Sequence, residues 1–310
     1  MTHEPVLPTG SHPTFGVGVI GAGRVGAVLA AALRAAGHEV VAAAGESDAS
    51  RGRIHDLLPG VSVGKPTDVA RASGLLLLTV PDDMLSNVVT MLSASGAIHE
   101  GQVVVHTSGR HGLAVLEPAR EVGARTIALH PAMTFTGTAV DLPRLSGCVF
   151  GVTADDADRE LTESLVADLG GRVMWVPEER RTLYHAGLAH GANHLVTLVA
   201  EAMEILSAAG AEDPAATLRP LLTAALDNAL DDGDAALTGP IVRGDVETVR
   251  AHVADLRATA PHTLPSYLAM ARATLGRAVT DGRLLPIRAT KMLGVLDGAS
   301  APAPLDRHAR

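Results

Sequence analysis

The chain has 310 residues, a formal net charge of −9 and 47% hydrophobic residues, which is enough to bury the cores of about two domains. It has only three Phe, two Tyr and one Trp. Base-stacking platforms and basic grooves are therefore poorly supplied, and we expect no nucleic-acid partner. Cys148 is the single cysteine, which excludes an intrachain disulfide and favours a cytoplasmic protein.

Three stretches bear on targeting and membrane insertion: residues 1–14, residues 299–310 and the most apolar window, 183–211. Residues 1–14 contain three prolines and no apolar run of signal-peptide length, so we interpret them as a disordered leader. Residues 299–310 are interpreted as a tail. The window 183–211 is interrupted by three histidines, an asparagine and two glutamates, which a membrane span would not readily tolerate. We therefore expect no membrane span.

Residues 15–37 carry the pattern on which most of the functional prediction depends: a β-branched apolar stretch, the turn G-x-G-x-x-G and an Ala/Leu-rich helix. Gly21 permits the tight turn, Gly23 lets the backbone approach a pyrophosphate, and Gly26 lets the helix pack closely on the strand. The helix N-terminus adds unpaired N–H groups and a partial positive charge. We predict dinucleotide binding, and the alternative is a glycine-rich turn without a ligand. The predicted cofactor contacts in this motif are Gly21, Ala22, Gly23, Arg24, Val25 and Gly26.

The loop after the second strand indicates which dinucleotide binds. Glu46 lies where an NAD-selective site places its acidic residue, but Ser47, Ser50, Arg51 and Arg53 crowd the same loop and suit a 2′-phosphate. We therefore favour NADP(H), with Ser47 and Arg51 as contacts. The alternative is that these charges only solvate the loop.

Strand and helix patterns alternate over residues 15–177 and predict an α/β fold, a Rossmann doubly wound sheet. Residues 178–298 are predicted to form an all-helical domain for substrate binding and dimerisation, in which 178–209 can be one long helix. In such a sheet the carboxyl ends of the strands face the ligand crevice. The strand at 74–80 should therefore bring three residues to the cofactor, namely Thr79, Val80 and Pro81.

Two later strand ends carry polar side chains. One reads His106-Thr107-Ser108-Gly109 and the other begins with His130. Polar residues at strand ends in this architecture are often functional. We predict that Ser108 contacts both cofactor and substrate and that His130 contacts substrate. For each histidine, a merely structural hydrogen-bonded role is the alternative.

The helical half has three distinctive stretches, RTLYH, HGANH and TGPIVRGD. In one continuous helix His185 and Asn193 would lie about 80° apart, so that one ligand could touch both. Arg243 offers a planar fork for a carboxylate, and Thr238 adds a hydroxyl donor. The alternative for Arg243 is an ordinary ion pair with Asp245.

His190 and His194 have the i, i+4 spacing of a metal-binding helix. Gly191, however, stands where the motif H-E-x-x-H requires a glutamate base. We therefore predict no metal site, and interpret both histidines as polar core or interface residues.

From about residue 15 to residue 296 the chain resembles the Rossmann-like/DUF2520 proteins of the 6-phosphogluconate dehydrogenase-like superfamily, which includes ketopantoate reductases and pyrroline-5-carboxylate reductases. The stretches that carry the resemblance are VGVIGAGRVG, TVPD, HTSG, HPAM, LYHAG followed by AN, and LTGPIVRGD with His252 after it. The resemblance implies a nicotinamide-binding N-terminal domain, a helical C-terminal domain that often builds a dimer, and an association with NADPH-dependent ketopantoate reduction. The related reductases commonly place a lysine on the first long helix, where this chain has Arg181.

We therefore predict a homodimeric NADPH-dependent oxidoreductase that acts on a CH–OH group and reduces a small carboxylate-bearing ketone, with ketopantoate to pantoate as the candidate reaction. An arginine is essentially never deprotonated and is a poor proton donor. His185 is accordingly the predicted general acid and Tyr184 the second candidate, while Asn193 and Ser108 position the oxygen. The alternative is a non-catalytic NADP(H)-binding regulatory or scaffold protein, which the missing lysine favours.

Overall fold

An eight-stranded sheet forms the centre of the first of two units in the computed structural model, which describes residues 14–300. The first unit ends at Ala189 and the second begins at His190. The predicted leader, 1–14, and tail, 299–310, lie almost wholly outside the described residues. The strands are β1 (Gly16–Ile20), β2 (Glu39–Ala44), β3 (Ser62–Val63), β4 (Leu75–Leu78), β5 (Val103–His106), β6 (Arg125–Pro131), β7 (Val149–Ala154) and β8 (Arg172–Trp175). The helices of this unit are α1 (Arg24–Ala35), α2 (Asp48–Leu57), α3 (Pro66–Ala72), α4 (Asp82–Ala94), α5 (Glu117–Glu121), α6 (Arg159–Asp168) and α7 (Arg181–Leu188).

The order of the strands is β3-β2-β1-β4-β5-β6-β7-β8, which confirms the predicted Rossmann sheet. Neighbouring strands run parallel except for β6 and β7, which are antiparallel. A parallel pair needs a crossover connection, usually a helix. Between β6 and β7 the chain forms only short 3₁₀ turns, so the direction reverses there.

The four leucines of β4 show why the sheet has a helix layer on each face. Leu75 and Leu77 belong to one buried cluster, with Leu29 of α1 and Leu165 of α6. Leu76 and Leu78 belong to the cluster on the opposite face, which includes Leu85 and Val89 of α4. Successive side chains of a strand point to opposite faces, so an uninterrupted apolar run is typical of a sheet covered on both sides.

The second unit is helical. Its helices are α8 (His194–Ala208), α9 (Pro214–Asp232), α10 (Pro240–Arg243), α11 (Val246–Thr259), α12 (Leu264–Thr280) and α13 (Pro286–Ser300). Val249 of α11, Leu268 of α12 and Met292 of α13 are buried together in one core. By contrast, α8 has no buried residue and α9 has only Leu218.

The stretch predicted as one long helix, 178–209, is helical from Glu178 to Ala208 but is not an uninterrupted α-helix. The chain forms a 3₁₀ turn at Glu178–Arg180, helix α7, a π-helical turn at Ala189–Asn193 and then α8. Gly187 and Gly191 weaken the α-helix in this stretch, and π turns are typically single insertions of this kind. The argument that placed His185 and Asn193 on one helix face required uninterrupted α geometry and therefore does not hold.

None of the helices within residues 14–300 combines the length and the apolar character that crossing a membrane would require. Within the same residues, no group of three or more His, Cys, Asp or Glu side chains is arranged to hold a metal ion.

Candidate active site

The turn after β1 has the geometry that its glycine spacing predicts. Gly21 has a φ of +88°, and a Cβ there would lie 2.8 Å from the backbone nitrogen of Val80. A Cβ on Gly26 would overlap Thr79 Oγ1, whereas one on Gly23 would meet only the Gly21 carbonyl oxygen, at 3.7 Å. The backbone at Gly23 is therefore the open side of the turn, where a pyrophosphate can approach.

A cavity of about 670 Å³ opens beside this turn, at the carboxyl ends of β1, β2 and β4. Its volume lies within the range that small-molecule and cofactor sites occupy. Seven predicted cofactor contacts line it, namely Gly21, Gly23, Val25, Ser47, Thr79, Val80 and Pro81. The other five, Ala22, Arg24, Gly26, Arg51 and Ser108, lie outside its lining.

Local packing explains three of these exceptions. Ala22 is fully buried beneath the turn. Gly26 packs against Thr79, whose hydroxyl donates a hydrogen bond of 2.6 Å to the Gly21 carbonyl. Ser108 is buried, and its hydroxyl accepts a hydrogen bond from the backbone N–H of His111. These three residues shape the turn and a neighbouring loop rather than the cavity surface.

The two predicted 2′-phosphate contacts, Ser47 and Arg51, have different surroundings in the loop after β2. Ser47 caps α2 by accepting a hydrogen bond from the Ser50 N–H, and both serines line the cavity. Arg51 instead donates to Asp48, at 2.5 Å, and to the Glu46 carbonyl, at 2.6 Å. Its guanidinium is thus already bound to acceptors of its own loop.

Two other arginines of the first unit, Arg24 and Arg53, pack against the loop at Gly137. A Cβ on Gly137 would lie 2.6 Å from Arg53 Nε and 2.9 Å from Arg24 Cγ. Asp141, which is fully buried, holds this loop by accepting hydrogen bonds from the Gly137 N–H and the Thr136 hydroxyl. Neither Arg24 nor Arg53 pairs with a carboxylate among residues 14–300. These two cations differ in this respect from Arg51, which is paired with Asp48.

A second group of predicted site residues lies near the end of β6. Tyr184 Oη is 3.0 Å from His130 Nδ1. The rings of His130 and His185 pack edge to face, with their centroids 5.6 Å apart. All three side chains are half-buried. The structure therefore brings three of the predicted catalytic and substrate-binding residues together within the first unit.

Burial sets the protonation of this cluster. Burial is the main reason that the pKa of His130 is lowered to about 4. The charges of His185 and Arg181 also lower it. Burial also raises the pKa of the Tyr184 phenol. At neutral pH His130 is therefore an uncharged imidazole and Tyr184 keeps its proton.

Two glycines make room for these side chains. A Cβ on Gly109 would overlap the His185 ring and lie 3.1 Å from His130 Nε2. Gly151 stands opposite His130 in the β6–β7 register, and a Cβ there would overlap the Tyr184 ring. Any larger residue at either glycine would displace the ring that contacts it.

Arg181, which stands where the related reductases commonly have a lysine, is a buried residue of the first unit. It is fully buried and donates to the Ser108 carbonyl at 2.7 Å and to Thr153 Oγ1 at 3.0 Å. Its Nε has no hydrogen-bond partner. The Arg181 side chain therefore has no access to a ligand and contributes to the site only by holding the residues around it.

Three side chains fix the loop at 107–113, which carries Gly109: Arg181, described above, His106 and Glu178. His106 accepts a hydrogen bond from the Ser108 N–H at Nδ1, so its Nε2–H donates to the Gly112 carbonyl, at 2.8 Å. The Glu178 carboxylate accepts from the backbone N–H groups of Leu113 and Ala114. His106 therefore takes the structural role that was its alternative, and Glu178 is a positioning residue that the sequence motifs did not indicate.

Two histidines whose pKa values are lowered, His106 and His130, predict an acid-sensitive fold. Burial is the largest cause that lowers the pKa of His106 to about 3, against 6.5 when it is exposed. Below pH 6.5 the unfolded chain binds protons that the folded chain does not. The free energy of unfolding should therefore fall as the pH decreases from about 6.5 to about 5, by roughly 1.4 kcal/mol per pH unit for each such histidine. Denaturant titrations of wild type and His106→Asn test this, and an equal slope in both would contradict it.

The remaining predicted site residues belong to the second unit. Asn193 and Thr238 are exposed. Arg243 forms an ion pair with Asp245, with Nε 3.0 Å from Oδ2, which was the alternative for this residue. His190 and His194 place their Nδ1 atoms 3.0 Å apart on an exposed surface. Substrate binding by Asn193, Thr238 and Arg243 stays a prediction.

Two family models match the chain, one in each half. A Rossmann-like domain matches residues 4–131, and a domain of unknown function, DUF2520, matches residues 148–274. A comparison with curated protein sequences finds no match.

Solved structures share the fold. A candidate NADP oxidoreductase from Bacteroides fragilis is 21% identical over 84% of this chain and 97% of its own, with a TM-score of 0.72. An imine reductase from Myxococcus stipitatus in complex with NADP⁺ is 17% identical over 91% of this chain and 100% of its own, with a TM-score of 0.63. A reductive aminase from Aspergillus terreus, in complex with NADPH and ethyl levulinate, is 17% identical over 91% and 99%, with a TM-score of 0.61.

Proposed function

Because the chain joins a Rossmann-like domain to a DUF2520 domain, we propose that it is an NADPH-dependent oxidoreductase that reduces a small carboxylate-bearing ketone. The observation that carries this proposal is the open backbone at Gly23, which lines the cavity at the strand ends. The cofactors and activities named for the similar structures support it. Ketopantoate is the first substrate to test, by consumption of NADPH, and cyclic imines are the second class.

The described residues fit NADPH. The turn at Gly23 and the N-terminus of α1 would hold the pyrophosphate, because their N–H groups and helix dipole favour an anion. Ser47 and Ser50 offer hydroxyls to the adenosine ribose, and Arg24 and Arg53 offer unpaired guanidinium groups to its 2′-phosphate. When bound, NADPH supplies the hydride.

Replacing Arg53 with alanine should weaken NADPH binding by about tenfold or more, because a charge-assisted hydrogen bond contributes roughly 1.5–3 kcal/mol. NADH has no 2′-phosphate, so its Kd should stay unchanged. Arg51→Ala is the matched control, since Arg51 is already paired with Asp48. Titration of nicotinamide fluorescence measures both affinities. If Arg51→Ala loses more affinity for NADPH than Arg53→Ala does, Arg51 is the 2′-phosphate contact, as the sequence predicts.

His185 is the proposed proton donor. In the reduction, the carbonyl carbon accepts a hydride and the oxygen accepts a proton, so that the ketone becomes an alcohol and NADPH becomes NADP⁺. His130 is neutral at pH 7, so it cannot supply a proton as an imidazolium, but it can hold the neighbouring Tyr184 hydroxyl by a hydrogen bond. Tyr184 is the second candidate donor.

Asn193 and Thr238 are proposed to hold the substrate oxygen and carboxylate, together with Arg243. The Arg243 side chain is 60% exposed, so a carboxylate can reach it without burying an unpaired charge. A bound carboxylate would compete there with Asp245, whose contact is worth little at such exposure.

We further propose that the protein is a homodimer through α8 and α9. Both helices carry large apolar side chains that the described residues leave uncovered: Val196 is 68% exposed, Leu221 64% and Leu230 76%. Extended exposed apolar surface of this kind marks an interaction site. A second copy with twofold symmetry is the commonest way to cover it.

Replacing Val196 and Leu221 together with glutamate should halve the molar mass in sedimentation experiments, because charges would then lie within the apolar contact. Leu285→Glu is the control, since Leu285 is 65% exposed but lies outside α8 and α9. A monomeric wild type, or a mass that the double substitution leaves unchanged, would contradict the dimer.

A further inference from the structure

A second cavity, of about 540 Å³, lies within the helical unit between α11 and α13. The chain enters α11 through Gly244, which forms part of the cavity wall. None of the functional residues assigned above lines this cavity. Its charged lining residues are three cations, Arg250, Arg288 and Lys291, and one carboxylate, Glu247.

The charges in this cavity are not balanced. Glu247 is paired with Arg250, with Oε2 3.3 Å from Nε. Arg288 donates only a long hydrogen bond, 3.4 Å, to the Arg243 carbonyl. Lys291 forms no hydrogen bond or ion pair with any residue in the described part of the chain. Three cations and one carboxylate leave a formal surplus of +2, in a chain whose net charge is −9.

The backbone geometry keeps the cavity open beside these cations. Gly244 has a φ of +73°, and a Cβ there would lie 3.2 Å from Arg288 Cδ and 3.0 Å from Leu284 Cδ1. Gly294 on α13 also lines the cavity without a side chain. Arg288 can therefore pack against the loop at Gly244. A ligand in the cavity can reach the backbone at Gly244 and at Gly294.

We propose that this cavity binds a small multiply charged phosphate compound. The planar guanidinium forks of arginine and the compact ammonium of lysine both suit phosphate oxygens. The volume lies within the range of small-ligand sites. The two cations without carboxylate partners attract an anion without first breaking an ion pair. This site shares no residue with the cavity proposed to bind NADPH, because all the residues that line it belong to the second unit.

The test uses the full chain labelled with ¹⁵N-glycine and titrated with inorganic pyrophosphate at constant ionic strength. Gly244 and Gly294 report on this cavity, and Gly21 and Gly23 report on the turn after β1. We expect saturable shifts of Gly244 and Gly294. In Arg288→Ala/Lys291→Ala, the Kd from these two signals should rise at least about tenfold, because two charge-assisted contacts are lost.

Arg219→Ala is the control, because Arg219 is an exposed cation of α9 outside the cavity. The Kd of this variant for pyrophosphate should equal that of the wild type. Lys291→Gln is the second test, since Lys291 has no described contact whose loss could unfold the chain. Any of three results would overturn the proposal. They are shifts confined to Gly21 and Gly23, shifts that grow without saturation, and an equal Kd in all variants.

Discussion

His185→Ala should lower kcat for ketone reduction by about 100-fold to 10,000-fold, the range for losing a positioned general acid. Its affinity for NADPH should change by less than about twofold, because His185 lies outside the cavity beside the glycine turn. The expected loss is in kcat rather than KM, since the proton is transferred only in the transition state. Stopped-flow NADPH oxidation and fluorescence binding measure the two quantities separately.

Tyr184→Phe is the matched control for this substitution. It removes only the hydroxyl that lies 3.0 Å from His130 Nδ1 and leaves the ring against Gly151 in place. We expect a smaller loss of kcat than in His185→Ala. If Tyr184→Phe loses more activity than His185→Ala, the tyrosine is the proton donor and the assignment of His185 is wrong.

Gly109→Ala should reduce kcat by about 100-fold through a single added methyl group, because an error of about 1 Å in a catalytic group has an effect of that order. The methyl would overlap the His185 ring. The loop at 107–113 cannot yield easily, since His106, Arg181 and Glu178 all bind it. The movement should therefore fall on the His185 side chain.

Gly52→Ala is the control for this prediction, because an added Cβ at Gly52 of α2 would meet no atom within 4 Å. It should keep wild-type activity, and its stability should not decrease, because alanine favours a helix more than glycine does. The imidazole NMR signals of His185 should shift in Gly109→Ala and stay unchanged in Gly52→Ala. Wild-type kcat in Gly109→Ala would show that the position of His185 is not needed for the reaction.

The fold could be predicted from the sequence because its signals are local. The run Leu75–Leu78 indicates a strand covered on both faces, and the spacing of Gly21, Gly23 and Gly26 specifies a turn whose contacts lie within one βαβ unit. The antiparallel direction of β7 follows from the missing helix before it. The break at 189–193 was missed because a π turn depends on an inserted residue rather than on composition.

The site was harder to predict, because its contacts join distant parts of the chain. Arg181 has a position on α7 like that of the lysine in related reductases, yet the depth to which it is buried depends on Ser108 and Thr153. Arg51 pairs with Asp48, three residues before it, whereas Arg53 packs against the distant loop at Gly137. The burial of Arg181 and the surroundings of Arg53 could not be derived from residue types or spacing alone.

The most direct test of the account is the oxidation of NADPH by the purified protein, followed by absorbance, with ketopantoate, a panel of other 2-keto acids and cyclic imines. We expect saturable turnover with a carboxylate-bearing ketone, faster with NADPH than with NADH and lost in His185→Ala. Tight binding of NADPH without turnover of any of these compounds would contradict it, and would favour a protein that binds NADP(H) without catalysing its oxidation.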